Sequence, residues 1–552
     1  MNAGLSLFLD VQGTQDDVHP ERGIPRYITM LVRALLARPG AVSRVALNPA
    51  VPAPARLPED ISTSPNLVWN TPAAFREASA EGLFAYHIMS PFHLHLPLEA
   101  ALPAHAFAAD AFVVTLYDLI PLHDPAAYLP DFYSQLYRSR LSVVRSADLV
   151  LTLSNHTSVD AVERLGLRPS RVVTVGAGVS PFFTRVGDAR ARAALCAGVP
   201  RLSRPFVLTV SGHDARKNTA LLLRAFARLP SSLRRELQLV VVGYIAPDLH
   251  DEYLRVTQEE GCADDEILWA GRVSDDTLRA LYQSAEVFVF PSVLEGFGLP
   301  VLEAAACGCP ALTARSSSLP EILDWVPSTF DPSDPAELTA LLQRATTDSS
   351  FRSELARAGD AAAARHTWEA VADRTLEAVG KLRARRAAPA QTGPERGSNA
   401  DPTAQTRLRL AFVGAMAGRA GHNRHNARVA DALRQYCDLE VFATDRTDHA
   451  PPVGGVPTMP VEAFDRLKTL HGYDAILYAI GSRADPKVSE LAHRAPGLVW
   501  LHDAPTAIDP DRDLIANARA VVASSEGGDV DQIAGELVAV ARGLPADARV
   551  AP

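Results

Sequence analysis

Residues 287–314 read VFVFPSVLEGFGLPVLEAAACGCPALTA. The stretch opens with a short apolar run, which predicts a buried strand that ends at the first proline. Pro300 suits the start of a helix and Gly308 suits its end, so we expect a strand, a loop and a helix in succession. Glu295 then lies on the loop at the carboxyl end of a strand, and Glu303 lies one turn into the helix. Open α/β sheets bind their ligands at this edge.

The residues around these two carboxylates suit a ligand that carries both phosphate and hydroxyl groups. Gly296 and Gly298 let the backbone approach a bound molecule closely, and unpaired N–H groups at a helix start can bind phosphate oxygens. Carboxylates do not bind phosphate, but they accept hydrogen bonds from hydroxyls. A nucleotide sugar meets both demands. The alternative, which the local sequence leaves open, is an ordinary loop followed by a helix that carries a glutamate.

A cationic pair occupies the corresponding position after an earlier strand. Arg216 and Lys217 follow the apolar run 206–211 and directly precede a helical pattern, which places them at the carboxyl edge of the same predicted sheet. Lys217 is the only lysine before residue 381. Two cations at this edge can hold a diphosphate and stabilise the charge that develops as it leaves. A solvent-exposed pair at a helix start is the alternative interpretation.

Apolar runs alternate with helical patterns along the chain, which is typical of parallel sheets with crossover helices. At 552 residues the chain exceeds what one hydrophobic core usually organises, so several domains are expected. The segment 386–406 is rich in Pro, Gly, Ala and polar residues, which predicts a linker. We therefore expect an α/β chain with an N-terminal lobe 1–198, a second lobe 199–385, this linker and a third module 407–552.

The third module repeats features of the first lobe. Gly421 stands before a helical pattern as Gly23 does, and LVWLHD at 498–503 parallels VVTLYD at 113–118. Because the order of these matches is kept, we interpret the module as a truncated repeat of the first lobe. The alternative is that any two Rossmann-like units share such strands. The sequence shows no second copy of the second lobe, so the module alone is not expected to catalyse transfer.

Composition and charge exclude several classes of protein. Apolar residues make up 47% and charged residues 21% of the chain, as in ordinary globular proteins. The net charge of −10 offers no basic surface for nucleic acid. Five cysteines without a C-x-x-C pair favour reduced thiols in the cytoplasm over a disulfide framework. We expect no metal ligand set, and we interpret the pair Cys307 and Cys309 as packing at a helix end.

Several of these motifs resemble glycosyltransferase family 4, whose members are retaining enzymes of the GT-B fold. The resemblance covers residues 1 to about 385 and is carried by FVFPS at 288–292, EGFGLP at 295–300 and RKN at 216–218, with Glu-Ala and Gly-Cys-Pro motifs shortly after. It implies two Rossmann-like lobes that face a cleft. It also implies that the helical stretch 368–386 crosses back to the first lobe.

The resemblance implies roles for single residues. Glu295 would contact hydroxyls of the donor sugar, and Glu303 would contact the ribose. Arg216 and Lys217 would bind the diphosphate, and Gly23 matches the glycine loop that faces the cleft in the first lobe. Glu295 and Lys217 are therefore catalytic candidates. Three backbone amides would surround the sugar and phosphate, those of Phe297, Gly298 and Leu299.

One departure concerns the family's His-Asp pair, because this chain has Tyr117 and Asp118 there. The resemblance implies that the family histidine lies beside the donor sugar. Tyrosine can donate a hydrogen bond, but it cannot act as a base near neutral pH. The third module instead carries His502 and Asp503. Asp118 is our third catalytic candidate.

The function expected from the resemblance is transfer of a hexose from a nucleoside diphosphate sugar to a glycan or lipid-linked acceptor in bacterial polysaccharide biosynthesis. Likeness to bacterial mannosyltransferases favours GDP-mannose as donor substrate, with no bound cofactor and no metal ion. The expected setting is the cytoplasm, at or near the inner face of the membrane, and peripheral membrane contact or assembly through the third module stays open. The alternatives are another GT-B enzyme, such as an epimerase or phosphorylase, and a non-catalytic scaffold that binds sugar nucleotides.

Overall fold

A computed structural model gives the chain three parallel β-sheets that follow one another along the sequence. His502 and Asp503 lie outside the described residues, as does most of the predicted linker. The structure describes residues 5–15, 23–54, 57–92, 96, 98–130, 137, 140–141, 143–185, 187–212, 214–387, 408–416, 421–444, 458–461, 464, 473–480, 486–495, 497–501, 520–523 and 529–543.

The first sheet has the strand order β3-β2-β1-β4-β5-β6-β7, the second β10-β9-β8-β11-β12-β13 and the third β16-β15-β14-β17-β18-β19. The first sheet is built from β1 (Ser6–Asp10), β2 (Val42–Leu47), β3 (Leu67–Trp69), β4 (Phe84–Ile88), β5 (Ala111–Leu116), β6 (Leu149–Thr152) and β7 (Val172–Thr174). The second is built from β8 (Phe206–Val210), β9 (Gln238–Val242), β10 (Ile267–Gly271), β11 (Val287–Phe290), β12 (Ala311–Ala314) and β13 (Thr329–Phe330). The third is built from β14 (Leu408–Gly414), β15 (Cys437–Ala443), β16 (Thr458–Pro460), β17 (Ala475–Ile480), β18 (Leu498–Leu501) and β19 (Ala520–Ala523).

Helices connect these strands, and several begin at a capping side chain. Ser154 accepts a hydrogen bond from the amide of Thr157, and Ser274 accepts one from the amide of Thr277. None of the described helices is both long and apolar enough to cross a membrane. The described helices are Gly23–Leu36, Glu59–Ser62, Pro72–Glu81, Leu98–Ala101, Ile120–His123, Pro125–Tyr128, Asn155–Leu165, Ala189–Ala197, Thr219–Ala227, Ser231–Glu236, Pro247–Glu259, Asp275–Ser284, Leu299–Ala306, Pro320–Leu323, Pro335–Thr347, Ser349–Arg365, Trp368–Ala387, Gly421–Leu433, Pro486–Arg494 and Val530–Gly543.

The strands at the middle of the second sheet are buried along their whole length. β9 reads QLVVV and β11 reads VFVF, and every residue of both strands is buried. Parallel sheets have helices on both faces, so their strands read as continuous apolar runs rather than as alternating ones. The loops that were predicted to bind a ligand follow β8 and β11, so they lie at the carboxyl edge of this sheet.

The helix Trp368–Ala387 returns to the first lobe, as the resemblance implied. Arg374 Nε donates a hydrogen bond of 2.7 Å to the carbonyl of Val175. The Trp368 ring lies edge-on to that of Tyr27, with 5.1 Å between their centroids. Because this helix follows the second lobe in sequence but packs on the first, it ties the two lobes together.

The third sheet packs against the first lobe. One buried apolar cluster contains residues of both, among them Val150 and Leu167 from the first lobe and Val413 and Phe442 from the third sheet. The third sheet shares its strand order with the first, but the second sheet has that order as well. Strand order therefore does not separate a repeat of the first lobe from a general Rossmann-like unit, and the repeat and the domain limits stay predictions.

Candidate active site

The loop after β11 leads into the helix Leu299–Ala306, which begins one residue before Pro300. Gly298 precedes the helix with φ of +116°, a conformation that L side chains rarely adopt. A Cβ at this position would lie 2.7 Å from Leu319 Cδ2, so the site also lacks space for a side chain. The glycine thus lets the chain turn sharply from the strand edge into the helix.

Glu295 holds the two predicted cations side by side. Its Oε1 lies 2.6 Å from Lys217 Nζ and 2.7 Å from Ser292 Oγ, and its Oε2 lies 2.9 Å from Arg216 Nη1. Only 8% of Glu295 is exposed. Burial by itself would raise the pKa of this carboxyl, but the charges of Lys217 and Arg216 hold it below its usual value. Glu295 is therefore ionised, and the structure brings three of the predicted site residues into direct contact.

The cations lie on a short 3₁₀ turn, Ala215–Lys217, which follows β8. Arg216 Nε donates to Asp214 at 2.7 Å, and its Nη1 donates to the carbonyl of Leu294 at 2.6 Å. An ammonium has three protons, and the one hydrogen bond from Lys217 Nζ recorded among the described residues goes to Glu295. The positive charges of Arg216 and Lys217 are balanced by the carboxylates of Asp214 and Glu295. Binding of an anion here therefore depends on the N–H donors that these contacts leave unused, and not on an excess of positive charge.

Backbone amides at the helix start supply further donors. The amides of Phe297 and Gly298 have no hydrogen-bond partner within the described part of the chain. The Phe297 side chain is buried and lies edge-on to the His366 ring at 5.5 Å between centroids. The ring thus anchors the loop, and the amides of Phe297 and Gly298 are donors without a partner among the described residues at the start of a helix, where phosphates often bind.

Glu303 is contacted from across the cleft by a residue that the sequence analysis did not single out. Arg26, on the first-lobe helix Gly23–Leu36, places Nη1 3.1 Å from Glu303 Oε1 and Nη2 2.5 Å from Asp275 Oδ2. Burial raises the pKa of Glu303 to about 7; Arg26 opposes this rise and Asp275 adds to it. Arg26 lies three residues after Gly23, in the stretch GIPRY at 23–27, but its partner could not be read from the sequence.

Two glycines mark where the lobes meet. Gly23 was predicted on a loop, but the structure makes it the first residue of the helix, because the helical pattern starts there. A Cβ on Gly23 would lie 3.8 Å from Leu299 Cδ1 in the second lobe. A Cβ on Gly296 would lie 2.4 Å from the carbonyl oxygen of Tyr117. The end of β5 therefore abuts the loop that carries Glu295.

Tyr117 and Asp118 follow β5 directly, and their side chains lie in different surroundings. The Tyr117 hydroxyl donates to the carbonyl of Met89 at 2.9 Å and is buried in the first lobe, so its hydrogen bond is made within the core. Burial raises the pKa of Asp118; a hydrogen bond from the Ile120 amide and the charge of Arg216 oppose the rise, and Glu295 adds to it. Asp118 thus lies within the electrostatic reach of the cationic pair.

Comparison with known proteins identifies the second lobe. Residues 198–362 match the family Glycosyl transferases group 1. This part of the chain is a group 1 glycosyltransferase domain. The matched segment contains the cationic pair and both predicted glutamates.

Relatives of this chain include two proteins of Escherichia coli. Serotype-specific mannosyltransferase WbdA is 30% identical over 271 residues, which make up 49% of this chain and 33% of that relative. O-antigen chain mannosyltransferase B is 29% identical over 272 residues, 48% of this chain and 69% of that relative. The chain thus spans about one third of the length of the first relative.

A solved structure shows the same fold. The crystal structure of Anabaena Alr3699/HepE in complex with UDP matches with a TM-score of 0.52 and 16% identity, over 68% of this chain and 100% of that one. The likeness concerns the fold, which is the GT-B arrangement of two Rossmann-like lobes that the sequence predicted.

A carboxylate of the group 1 domain also caps a first-lobe helix, and sequence reasoning missed it. Both oxygens of Glu321 accept hydrogen bonds of 2.8 Å, from the amides of Asn155 and His156 at the start of the helix Asn155–Leu165. A negative charge at a helix N-terminus is stabilising. Since the partners lie 166 residues apart, no local pattern could have indicated this contact between the lobes.

Beside this contact, His123, His156 and Asp160 bring one potential metal ligand each within 4.8 Å of one another. His123 Nε2 lies 2.6 Å from Asp160 Oδ2, and Arg164 Nη2 lies 3.0 Å from His123 Nδ1. A guanidinium can only donate, so Nδ1 accepts and we assign the ring proton to Nε2, which donates to Asp160. With its proton there, His123 links Arg164 to Asp160 in a hydrogen-bonded chain.

Proposed function

We propose that this protein transfers mannose from GDP-mannose to a glycan or lipid-linked acceptor, with retention, in polysaccharide biosynthesis. The observation that carries the proposal is the buried Glu295, which holds Arg216 and Lys217 together at the carboxyl edge of the group 1 domain, opposite the first lobe. Two of the relatives are named as mannosyltransferases, and one of those names refers to O-antigen.

The donor diphosphate is bound by the hydrogen-bond donors that the site leaves available. Lys217 keeps two of its protons after the contact with Glu295, and the amides of Phe297 and Gly298 lie at the start of the helix Leu299–Ala306. Donors aimed at the leaving group stabilise the charge that it gains in the transition state. Because protein groups supply this stabilisation, transfer is expected to continue in the presence of EDTA.

The two glutamates contact the rest of the donor. Glu295 Oε2 accepts one bond from Arg216 in the structure, so it can accept a further one from a sugar hydroxyl. Glu303 accepts a hydrogen bond from the ribose of the donor. Since Arg26 already contacts this carboxylate, its side chain must either share the carboxylate with the donor or move away when the donor binds. Asp118 lies on the opposite wall, next to the loop that carries Glu295.

A thermal-shift and turnover comparison of nucleotide sugars tests the proposal. GDP-mannose should raise the melting temperature more than UDP-glucose or GDP-glucose does, because a ligand stabilises in proportion to its affinity. Release of GDP should then be faster with an acceptor glycan than without one. The same shift for every sugar nucleotide would contradict the choice of donor, and no shift for any of them would contradict a donor site.

A non-catalytic protein that binds sugar nucleotides is the second candidate. It is favoured by the Tyr117 hydroxyl, which is bonded to the carbonyl of Met89 and leaves the position of the family histidine without an equivalent group. This candidate predicts tight donor binding with GDP release at the background rate for all acceptors. If this candidate is correct, the variant Tyr117→His should have a higher turnover than the wild type. Transfer by the wild-type protein would exclude the candidate.

A further inference from the structure

A cleft of about 510 Å³ lies between the first lobe and the third module, away from the candidate active site. Its apolar lining includes Leu165, Leu167 and Tyr473, and the one carboxylate among its lining residues is Glu440. Organic ligands occupy cavities of about 300–1,000 Å³, so the cleft is large enough for a small molecule. Six arginines line it, Arg145, Arg164, Arg168 and Arg171 from the first lobe and Arg409 and Arg434 from the third module.

This concentration of positive charge contrasts with the chain as a whole, whose net charge is −10. Part of it is balanced by neighbouring carboxylates, since Arg164 pairs with Asp160 at 3.0 Å and Arg434 lies 3.6 Å from Asp431. The carboxylate of Glu440 accepts a hydrogen bond from the Tyr473 hydroxyl. Among the residues that line the cleft, six arginines therefore accompany a single carboxylate.

Arg171 is buried in the wall of the cleft, and Arg168 beside it is exposed. Arg171 is 9% exposed and donates from Nη2 to the carbonyl of Arg145 at 2.6 Å, but its buried Nε has no hydrogen-bond partner among the described residues. Burial lowers the pKa of Arg171 to about 10; Asp148 opposes this fall, and the neighbouring charge of Arg168 adds to it. Arg168 is exposed and forms no ion pair within the described part of the chain. A buried, unpaired donor beside a second guanidinium is costly unless an anion is bound.

We propose that this arginine cleft binds a ligand that carries a phosphate or diphosphate group, and that the bound anion ties the third module to the first lobe. Guanidinium groups bind phosphate oxygens through two parallel hydrogen bonds, which gives both strength and orientation. The leucines and Tyr473 flank an organic portion of the ligand. A soluble phosphorylated metabolite and a phospholipid headgroup share this chemistry. The inference does not rest on the function proposed for the group 1 domain.

Calorimetric titration of the full chain with inorganic diphosphate tests the site. Arg168→Ala combined with Arg434→Ala removes two exposed arginines and should weaken binding on the order of tenfold or more, since each charge-assisted hydrogen bond is worth that factor. Arg357→Ala, at an exposed arginine of the second lobe, is the matched control. Lys217→Ala removes a cation of the donor site. If diphosphate still binds to this variant but not to the double arginine variant, the diphosphate binds in the arginine cleft.

Sedimentation with vesicles distinguishes the two sources of the phosphate. Binding to phosphatidylcholine vesicles that contain phosphatidic acid, lost in the double variant, would assign the cleft to a lipid headgroup. Binding of diphosphate without vesicle binding would assign it to a soluble ligand. The proposal is overturned if diphosphate does not bind, or if it binds equally well to the double variant whose circular dichroism spectrum and melting temperature match those of the wild type.

Discussion

Glu295 was predicted as a hydroxyl acceptor, and its contacts add a second role. Three of its four lone-pair positions are used inside the protein, by Lys217, Ser292 and Arg216. The carboxylate therefore orients two cations before any ligand arrives. Fixed donors need no reorganisation when charge develops on a leaving group, which is the physical advantage of this arrangement.

Lys217 should matter most for turnover. Lys217→Ala is expected to lower transfer on the order of 100-fold, since the departing diphosphate loses a charged donor, and Lys217→Arg should restore part of it. Steady-state rates of GDP release in the presence of acceptor measure the effect. Lys381→Ala is a suitable control, because that exposed lysine pairs with Glu377 on the surface. Equal rates for Lys217→Ala and the control would remove Lys217 from the mechanism.

Glu303 should make folding stability depend on pH in a predictable direction. Its pKa is raised from 4.5 to about 7 in the folded chain, so its contribution to stability is fully present below about 4.5 and lost as pH rises through about 7. Relative to Glu303→Gln, the wild type should lose up to roughly 3 kcal/mol over that interval. Melting temperatures across this range measure it.

The same change at an exposed glutamate, Glu236→Gln, controls for loss of one negative charge. Parallel pH profiles for the wild type and Glu303→Gln would show that Glu303 titrates normally. Such a result would also mean that Arg26 pairs with a fully ionised carboxylate at neutral pH.

At the scale of elements, the loop between β11 and the helix Leu299–Ala306 is held by steric contact with the end of β5. Gly296→Ala would place a methyl group 2.4 Å from the carbonyl oxygen of Tyr117 and 2.9 Å from Asp118 Cβ. Relief requires the loop to shift, at a cost of about 1–3 kcal/mol, and donor turnover should fall because Glu295 moves with it.

Gly380→Ala is the matched control for this prediction. Gly380 is an exposed residue of the helix Trp368–Ala387, away from both predicted ligand-binding loops, and a Cβ there would meet nothing within 4 Å. Urea denaturation and GDP release should therefore separate the two variants. If Gly296→Ala retains both wild-type stability and wild-type turnover, the loop at Gly296 does not lie in close contact with the end of β5.

At the scale of the whole molecule, the third module is expected to be separable from the catalytic pair of lobes. A chain that ends at Arg386 keeps the crossing helix, whose Arg374 and Trp368 contact the first lobe. We expect it to fold and to retain donor turnover. It should melt at a lower temperature than the full chain, since removal of the module uncovers apolar residues such as Leu167.

Comparison of the truncated and full chains by calorimetry, donor hydrolysis and oligomeric mass measures these outcomes. An unfolded truncated chain would show that the third module belongs to the catalytic core. Loss of transfer with intact donor hydrolysis would instead assign the module to acceptor delivery.

The sequence by itself determined the fold class and the local structure around the predicted site residues. Apolar runs, Gly298 and Pro300 act over a few residues, so the strand, loop and helix around Glu295 could be predicted before any contact was known. Arg216 and Lys217 were predicted at the same sheet edge for the same reason, because the carboxyl ends of parallel strands lie on one side.

The tertiary structure alone decided what faces what across the cleft. Arg26 meets Glu303 over a separation of 277 residues, and Glu321 caps a helix 166 residues away. Neither pairing follows from local pattern, because it depends on how two lobes close on each other. The Tyr117 hydroxyl could equally have faced the cleft, and only packing in the first lobe directs it to Met89. Likewise, the arginines of the cleft come from segments far apart in sequence, and they form one site only because the third module packs on the first lobe.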